Sequence, residues 1–294
     1  MAEFDRTRLE ARLDSYVADN RFSIAVLFPA IGAVMLVASA EGWFPGILEF
    51  NPYLVLFGTA VMRLPLIAGV APLIDRRAAL AIVGLTFYTY GIEFLGVLTG
   101  LPYGDFEYVI DLGPMLLDTV PAALPIFFFP LVLNAYLLCL LLLGDRAALT
   151  RIRLPAVIAT VLAMDLVLDP GAVGLGFWEY APPLTGGGAW ASATAIHFYG
   201  VPLSNYLGWV LSASVAVLAF DLGFERAGLL ERLDRTGFML DDLVSFVILW
   251  GAINAWYGNW LAVGVAGLFG VGLLATDRFD FSVRETVPLV GSWR

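Results

Sequence analysis

The sequence predicts an all-α, polytopic transmembrane helix bundle of about eight spans, and three observations carry that prediction. Of 294 residues, 60% are hydrophobic and only 14% charged, whereas soluble domains hold roughly 45–50% and 25%. Mean hydropathy is +0.84, more apolar surface than a water-soluble core can hide. The apolar residues also fall into long blocks, most of them approaching the ~20 residues that a helix needs to cross the hydrocarbon.

The elements follow in order. Residues 1–21 form a polar segment without a cleavable signal pattern, expected to be a cytoplasmic surface helix. The apolar blocks are 22–40, 53–74, 78–98, 113–143, 154–168, 199–220, 243–256 and 260–276. Pro114, Pro121, Pro125 and Pro130 predict a kinked or partly re-entrant fourth segment. Pro170 is expected to stop the fifth helix. The fifth and seventh blocks are short, so seven spans remain an alternative. Residues 22–276 read as one catalytic membrane domain, followed by a cytoplasmic tail over 277–294.

The cations orient these spans. All sixteen are arginine, and no lysine occurs. With eight spans, fifteen of the sixteen arginines fall on one face, which the positive-inside rule makes cytoplasmic together with both termini. Seven spans would strand Arg278, Arg284 and Arg294 outside. Arg63 is the exception, inside the second block, where a buried ion pair and a functional role are equally good readings. The acid excess, 26 against 16, suits a multi-pass cell-membrane protein of an extreme halophile, in salt that screens self-repulsion. A GC-rich genome favouring arginine codons is the plainer alternative.

Single residues exclude whole chemistries. One cysteine, Cys139, rules out an internal disulfide or an iron–sulfur centre. One histidine, His197, is too few for the usual zinc site or for a membrane di-iron oxygenase. No phosphate-binding loop is present. The expectation is a cofactor-free protein without a metal, in which any oxygen added to a substrate comes from water.

Acids collect where the arginines do not. Glu93 lies near the end of the third span, and Asp165 and Asp169 share one helical face of the fifth. PYGDFEY parallels GLGFWEY, and LGPMLLD parallels YGVPLSN, as a weak internal repeat. A carboxyl in a span is costly unless it pairs or holds a proton. A protonated carboxyl is what an alkene needs as a Brønsted acid. Protonation of a trisubstituted isoprenoid double bond gives a tertiary carbocation, which aromatic faces stabilise. Water then captures the cation and a carboxylate takes the surplus proton. Asp169, Glu93 and Asp165 are therefore the expected catalytic residues. Tyr103, Tyr108, Asp118, Trp178, Tyr180, Asn205 and Trp209 are the expected substrate contacts. Plainer roles stand beside these: an aromatic belt for the rings, a solvated loop for Asp105, Glu107 and Asp111, a headgroup-level position for His197, and a helix start for Asp118.

Three motifs carry a resemblance. ExxGxxTGxPYGxFxY at Glu93–Tyr108, DPxAxxxGFWxY at Asp169–Tyr180 and YGVPLSNYLGW at Tyr199–Trp209 look like the membrane carotenoid-biosynthesis hydratases. That group includes bacterial gamma-carotene hydratases and haloarchaeal bisanhydrobacterioruberin hydratases, and the lysine-free acidic composition favours the haloarchaeal branch. The resemblance implies cofactor-free addition of water to the terminal isopentenyl double bonds of a fifty-carbon carotenoid, bisanhydrobacterioruberin, first to the monoanhydro compound and then to bacterioruberin. It also implies contact with membrane lipid and allows association with other membrane enzymes of the pathway; nothing points to nucleic acid. The catalytic assignment itself rests on the physical argument above. Two alternatives stay open: a lycopene-cyclase-like enzyme, in which an internal alkene traps the cation, and a non-catalytic carotenoid-binding or transport protein.

Overall fold

The structure is a computed structural model and describes residues 6–182, 189–276 and 278. A surface helix, α1 (Arg6–Asp19), precedes a π-helical turn at Ser23–Leu27 that runs into α2 (Phe28–Ala40). Then come α3 (Pro52–Val70), α4 (Arg76–Thr99), α5 (Leu124–Leu143), α6 (Thr150–Gly174), the short α7 (Ala189–Ala195), α8 (Leu203–Gly223), α9 (Arg226–Arg235), α10 (Asp241–Trp256) and α11 (Trp260–Ala275). Seven apolar helical stretches are long enough to cross a membrane, and α11, at 16 residues, is a shorter eighth. The chain is a polytopic membrane helix bundle. Its 277–294 tail lies outside the described residues apart from Arg278.

Two details of the sequence reading change. The segment 113–143 is not re-entrant. Its first part is a hairpin of β2 (Met115–Leu116) and β3 (Val120–Pro121), and α5 begins only at Leu124. Pro114 and Pro121 serve that hairpin, and Pro125 sits in the first turn of α5, where a missing N–H costs nothing. Nor does Pro170 stop the fifth helix, since α6 continues through it to Gly174. Asn254 Nδ2 donates to the Val167 carbonyl at 2.7 Å and Asn259 Nδ2 to that of Pro170 at 3.3 Å. Side-chain donors from α10 and from its connection to α11 thus serve the turn that the proline disturbs. Gly171 allows the close approach: a Cβ there would lie 2.9 Å from the Trp250 ring.

Six of the described arginines join elements at one end of the bundle. Arg6 donates to the carbonyls of Ala71 and Ile74, Arg77 to Leu222, and Arg278 to Leu233. Arg232 pairs with Asp14, Arg21 with Asp241 and Arg153 with Asp221. These contacts tie α1, the α3–α4 and α5–α6 turns and α9 into one layer.

The opposite end carries three two-stranded ribbons. β1 (Phe106–Tyr108) pairs antiparallel with β4 (Trp178–Tyr180), and β5 (His197–Phe198) with β6 (Val201–Pro202). A local two-fold relation runs through this end. Each half has a long helix, a strand of the central ribbon, a hairpin closing on Val-Pro, and a second long helix. Val109 N–H donates to the Phe177 carbonyl at 3.0 Å, and Ala181 N–H donates to that of Asp105 at 2.8 Å. The relation keeps the PYGDFEY/GLGFWEY match but corrects the other. Val120-Pro121 corresponds to Val201-Pro202, so LGPMLLD does not lie opposite YGVPLSN and Asp118 is not the counterpart of Asn205.

Candidate active site

The central ribbon roofs the site. Its register pairs Phe106 with Tyr180, Glu107 with Glu179 and Tyr108 with Trp178. Side chains alternate along a strand, so four aromatic rings share one face while Glu107 and Glu179 point away and are exposed. The two tyrosines occupy diagonal corners of that face. Beneath it lies a cavity of about 150 Å³ walled mainly by apolar side chains, into which Glu93 of α4 and Asp169 of α6 bring carboxyl groups.

Each carboxyl is held by a tyrosine. Tyr108 donates its hydroxyl to Glu93 Oε1 in a short hydrogen bond, and Tyr180 donates to Asp169 Oδ2 at 3.1 Å. Burial, then the neighbouring Glu93, holds the Tyr108 phenol well above the usual range; burial, then Asp169 and Asp165, does so for Tyr180. Both phenols therefore keep their protons and act as donors.

Asn205 Nδ2, near the start of α8, donates to Asp169 Oδ2 at 2.6 Å and to Asp165 Oδ2 at 2.9 Å. Asp165 lies one turn deeper, fully buried, with Oδ1 unpartnered, and does not line the cavity. At the spacing that maps Tyr108 onto Tyr180, Glu93 maps onto Asp165; yet Tyr180 reaches Asp169 instead. The two halves are alike in chemistry but not residue for residue.

Tyr103 is seated between glycines. A Cβ on Gly208 would come within 2.4 Å of its ring and one on Gly96 within 3.1 Å. Its hydroxyl shares a 2.7 Å hydrogen bond with Ser212 Oγ. Trp209 stacks on Phe128 at 5.5 Å.

Of the ten residues singled out from the sequence, eight line this cavity: Glu93, Asp169, Tyr103, Tyr108, Trp178, Tyr180, Asn205 and Trp209. Asp165 stands behind it. Asp118 stands apart, exposed in the β2–β3 turn with φ +53°, and neither starts a helix nor touches the cavity. Asp105, Glu107, Asp111 and His197 are exposed. The sequence reading missed the wall from α5 (Leu124, Phe127, Phe128 and Leu131) and Val55 from α3. LPIFFFPL is apolar at every position, so no periodicity marks its inner face. Among the described residues, no group of three or more His, Cys, Asp or Glu side chains is placed to hold a metal ion.

The chain is similar to known proteins over nearly its whole length. The family described as carotenoid biosynthesis protein matches residues 50–273. The bisanhydrobacterioruberin hydratase of Haloarcula japonica is 61% identical over 289 residues, covering 98% of this chain and 94% of that protein. No solved structure matches.

Proposed function

This chain belongs to the carotenoid biosynthesis protein family, and from that premise we propose that it is a carotenoid hydratase, a cofactor-independent hydro-lyase acting on bisanhydrobacterioruberin. The observation that carries the chemistry is the pair of carboxyls, each held by a phenol, in one aromatic cavity. An apolar cavity with no cation among its described lining residues is a poor host for two ionised carboxyls, so the pair holds a proton. Tyr180 and Asn205 both donate to Asp169 Oδ2, which leaves Oδ1 to carry it. Asp169 passes that proton to the =CH– carbon of an isopentenyl end. The tertiary cation forms beneath Phe106 and Trp178 and beside Trp209, whose ring faces attract it. A water oxygen closes on the cation, and its surplus proton goes to Glu93. Asn205, itself bonded to Asp165, orients Asp169.

A cavity near 150 Å³ accepts about one benzene-sized group. It therefore receives one end of the carotenoid, and the two ends are hydrated in separate binding events. Cells that accumulate bisanhydrobacterioruberin and express this chain should show pigments gaining one water mass per end, with the visible spectrum unchanged because the hydrated bond is isolated from the polyene. Products of unchanged mass would point to cyclisation or to binding alone.

The arginine-rich end is cytoplasmic in this reading, together with both termini, and the ribbon end faces outward. Asp105 and Ala148 are both exposed and mark the two ends. In intact cells Asp105→Cys should react with an impermeant thiol reagent and Ala148→Cys should not, while the native Cys139 is buried. Labelling of Ala148→Cys alone would invert the topology.

A further inference from the structure

The two carboxyls are held in matching ways from opposite corners of one ribbon. Tyr108 and Tyr180 sit diagonally across the β1–β4 register, each donating to the acid of its own half, Glu93 on α4 and Asp169 on α6. Both acids line the same cavity, and each keeps a second carboxyl oxygen outside the phenol contact. Asn205 gives Asp169 a second donor, but it binds the oxygen that Tyr180 already holds, so in each acid the other oxygen can either donate or accept a proton.

We propose that Glu93 and Asp169 exchange roles from one hydration to the next, an inference that rests on the hydratase reading above. In one turnover the alkene π pair forms a C–H bond with the Asp169 proton. The tertiary cation gains a C–O bond from water, and the released O–H proton moves to Glu93. Asp169 is now ionised and Glu93 protonated. In the following turnover Glu93 donates and Asp169 accepts. Two hydrations return the site to its starting state, and the substrate has two ends to hydrate. Neither proton has to be fetched from, or lost to, bulk water between them. The same proposal places the two acids, held from opposite corners of the ribbon, on opposite faces of the bound alkene.

That last point gives the test. Hydration of bisanhydrobacterioruberin in D2O by membranes containing this protein places one deuterium on the former =CH– carbon. Its configuration can be read by deuterium NMR in a chiral aligning medium. Exchanging roles predict both configurations in near-equal amounts from the unaltered protein. The residual product of Glu93→Gln should carry one configuration, set by Asp169, and that of Asp169→Asn the opposite one, set by Glu93. A single configuration from the unaltered protein would overturn the proposal, as would the same configuration or the same mixture from both variants. Should the variants yield no product, the unaltered protein alone decides. Failure of the hydratase reading looks different: no water mass is gained and no deuterium enters that carbon.

Discussion

Asp169→Asn is expected to lower carotenoid hydration by about 10²–10⁴-fold, the usual worth of general acid catalysis, with the protein still inserted and folded. The side chain is 4% exposed, and its neighbours Tyr180 and Asn205 both donate to it. An asparagine oxygen can accept from both at nearly the same position, so packing and the ribbon's attachment to α6 should survive. Removing an acid from a span adds no insertion penalty. What is lost is the transferable proton. The effect should appear in kcat rather than KM, because the aromatic walls that bind the end group are untouched. Glu93 can still hold a proton, which leaves a measurable residue of activity. Near-wild-type conversion by a well-expressed variant would sink the assignment and leave Glu93 as the only acid.

Most of this site was legible because membrane spans punish carboxyls. Glu93 and Asp169 stood out in apolar blocks, and their cost demanded a reason. Tyr108 and Tyr180 were legible through the motifs that follow each acid. The pairing of those motifs was harder. Two-residue strands give almost no periodicity, so LGPMLLD was set beside YGVPLSN, where the hairpins match Val120-Pro121 with Val201-Pro202. Asp118, an expected substrate contact whose plainer reading was a helix start, does neither; it lies in the turn between β2 and β3. The α5 wall was illegible for a different reason. Along most of its length the helix is buried on every side, and a uniformly apolar helix shows no inner face. Pro170 misled because sequence rules assume the proline must supply its own remedy, whereas here Asn254 and Asn259 donate from the neighbouring helix and its connection. Span count and arginine placement, by contrast, rest on composition over many residues, and single misreadings do not disturb them.

Arg63→Met is expected to be the most damaging substitution away from the cavity, destabilising the bundle by about 3–5 kcal/mol, as breaking one side of a buried ion pair commonly does. Arg63 is the one arginine placed within a span by the sequence, and the structure gives it a partner on another helix. Its Nη1 lies 2.5 Å from Asp242 Oδ1, and Asp242 is fully buried at the start of α10. Asn134 of α5 donates to the other carboxyl oxygen, and Arg63 Nε reaches the Ile126 carbonyl at 3.4 Å. One cluster thus fastens α3, α5 and α10 just beyond Phe127 and Phe128 of the cavity wall. Without the guanidinium, Asp242 keeps one amide donor and no counter-charge. The midpoint of thermal unfolding in detergent should fall, and carotenoid conversion should fall with it as the α5 wall loosens. Arg63→Met combined with Asp242→Asn should recover much of the loss, because it removes the stranded charge and retains an acceptor for Asn134. The coupling from such a double-mutant cycle measures the pair itself. If Arg63→Met unfolds at the wild-type midpoint, the pair carries no stability and its place between three helices needs another account.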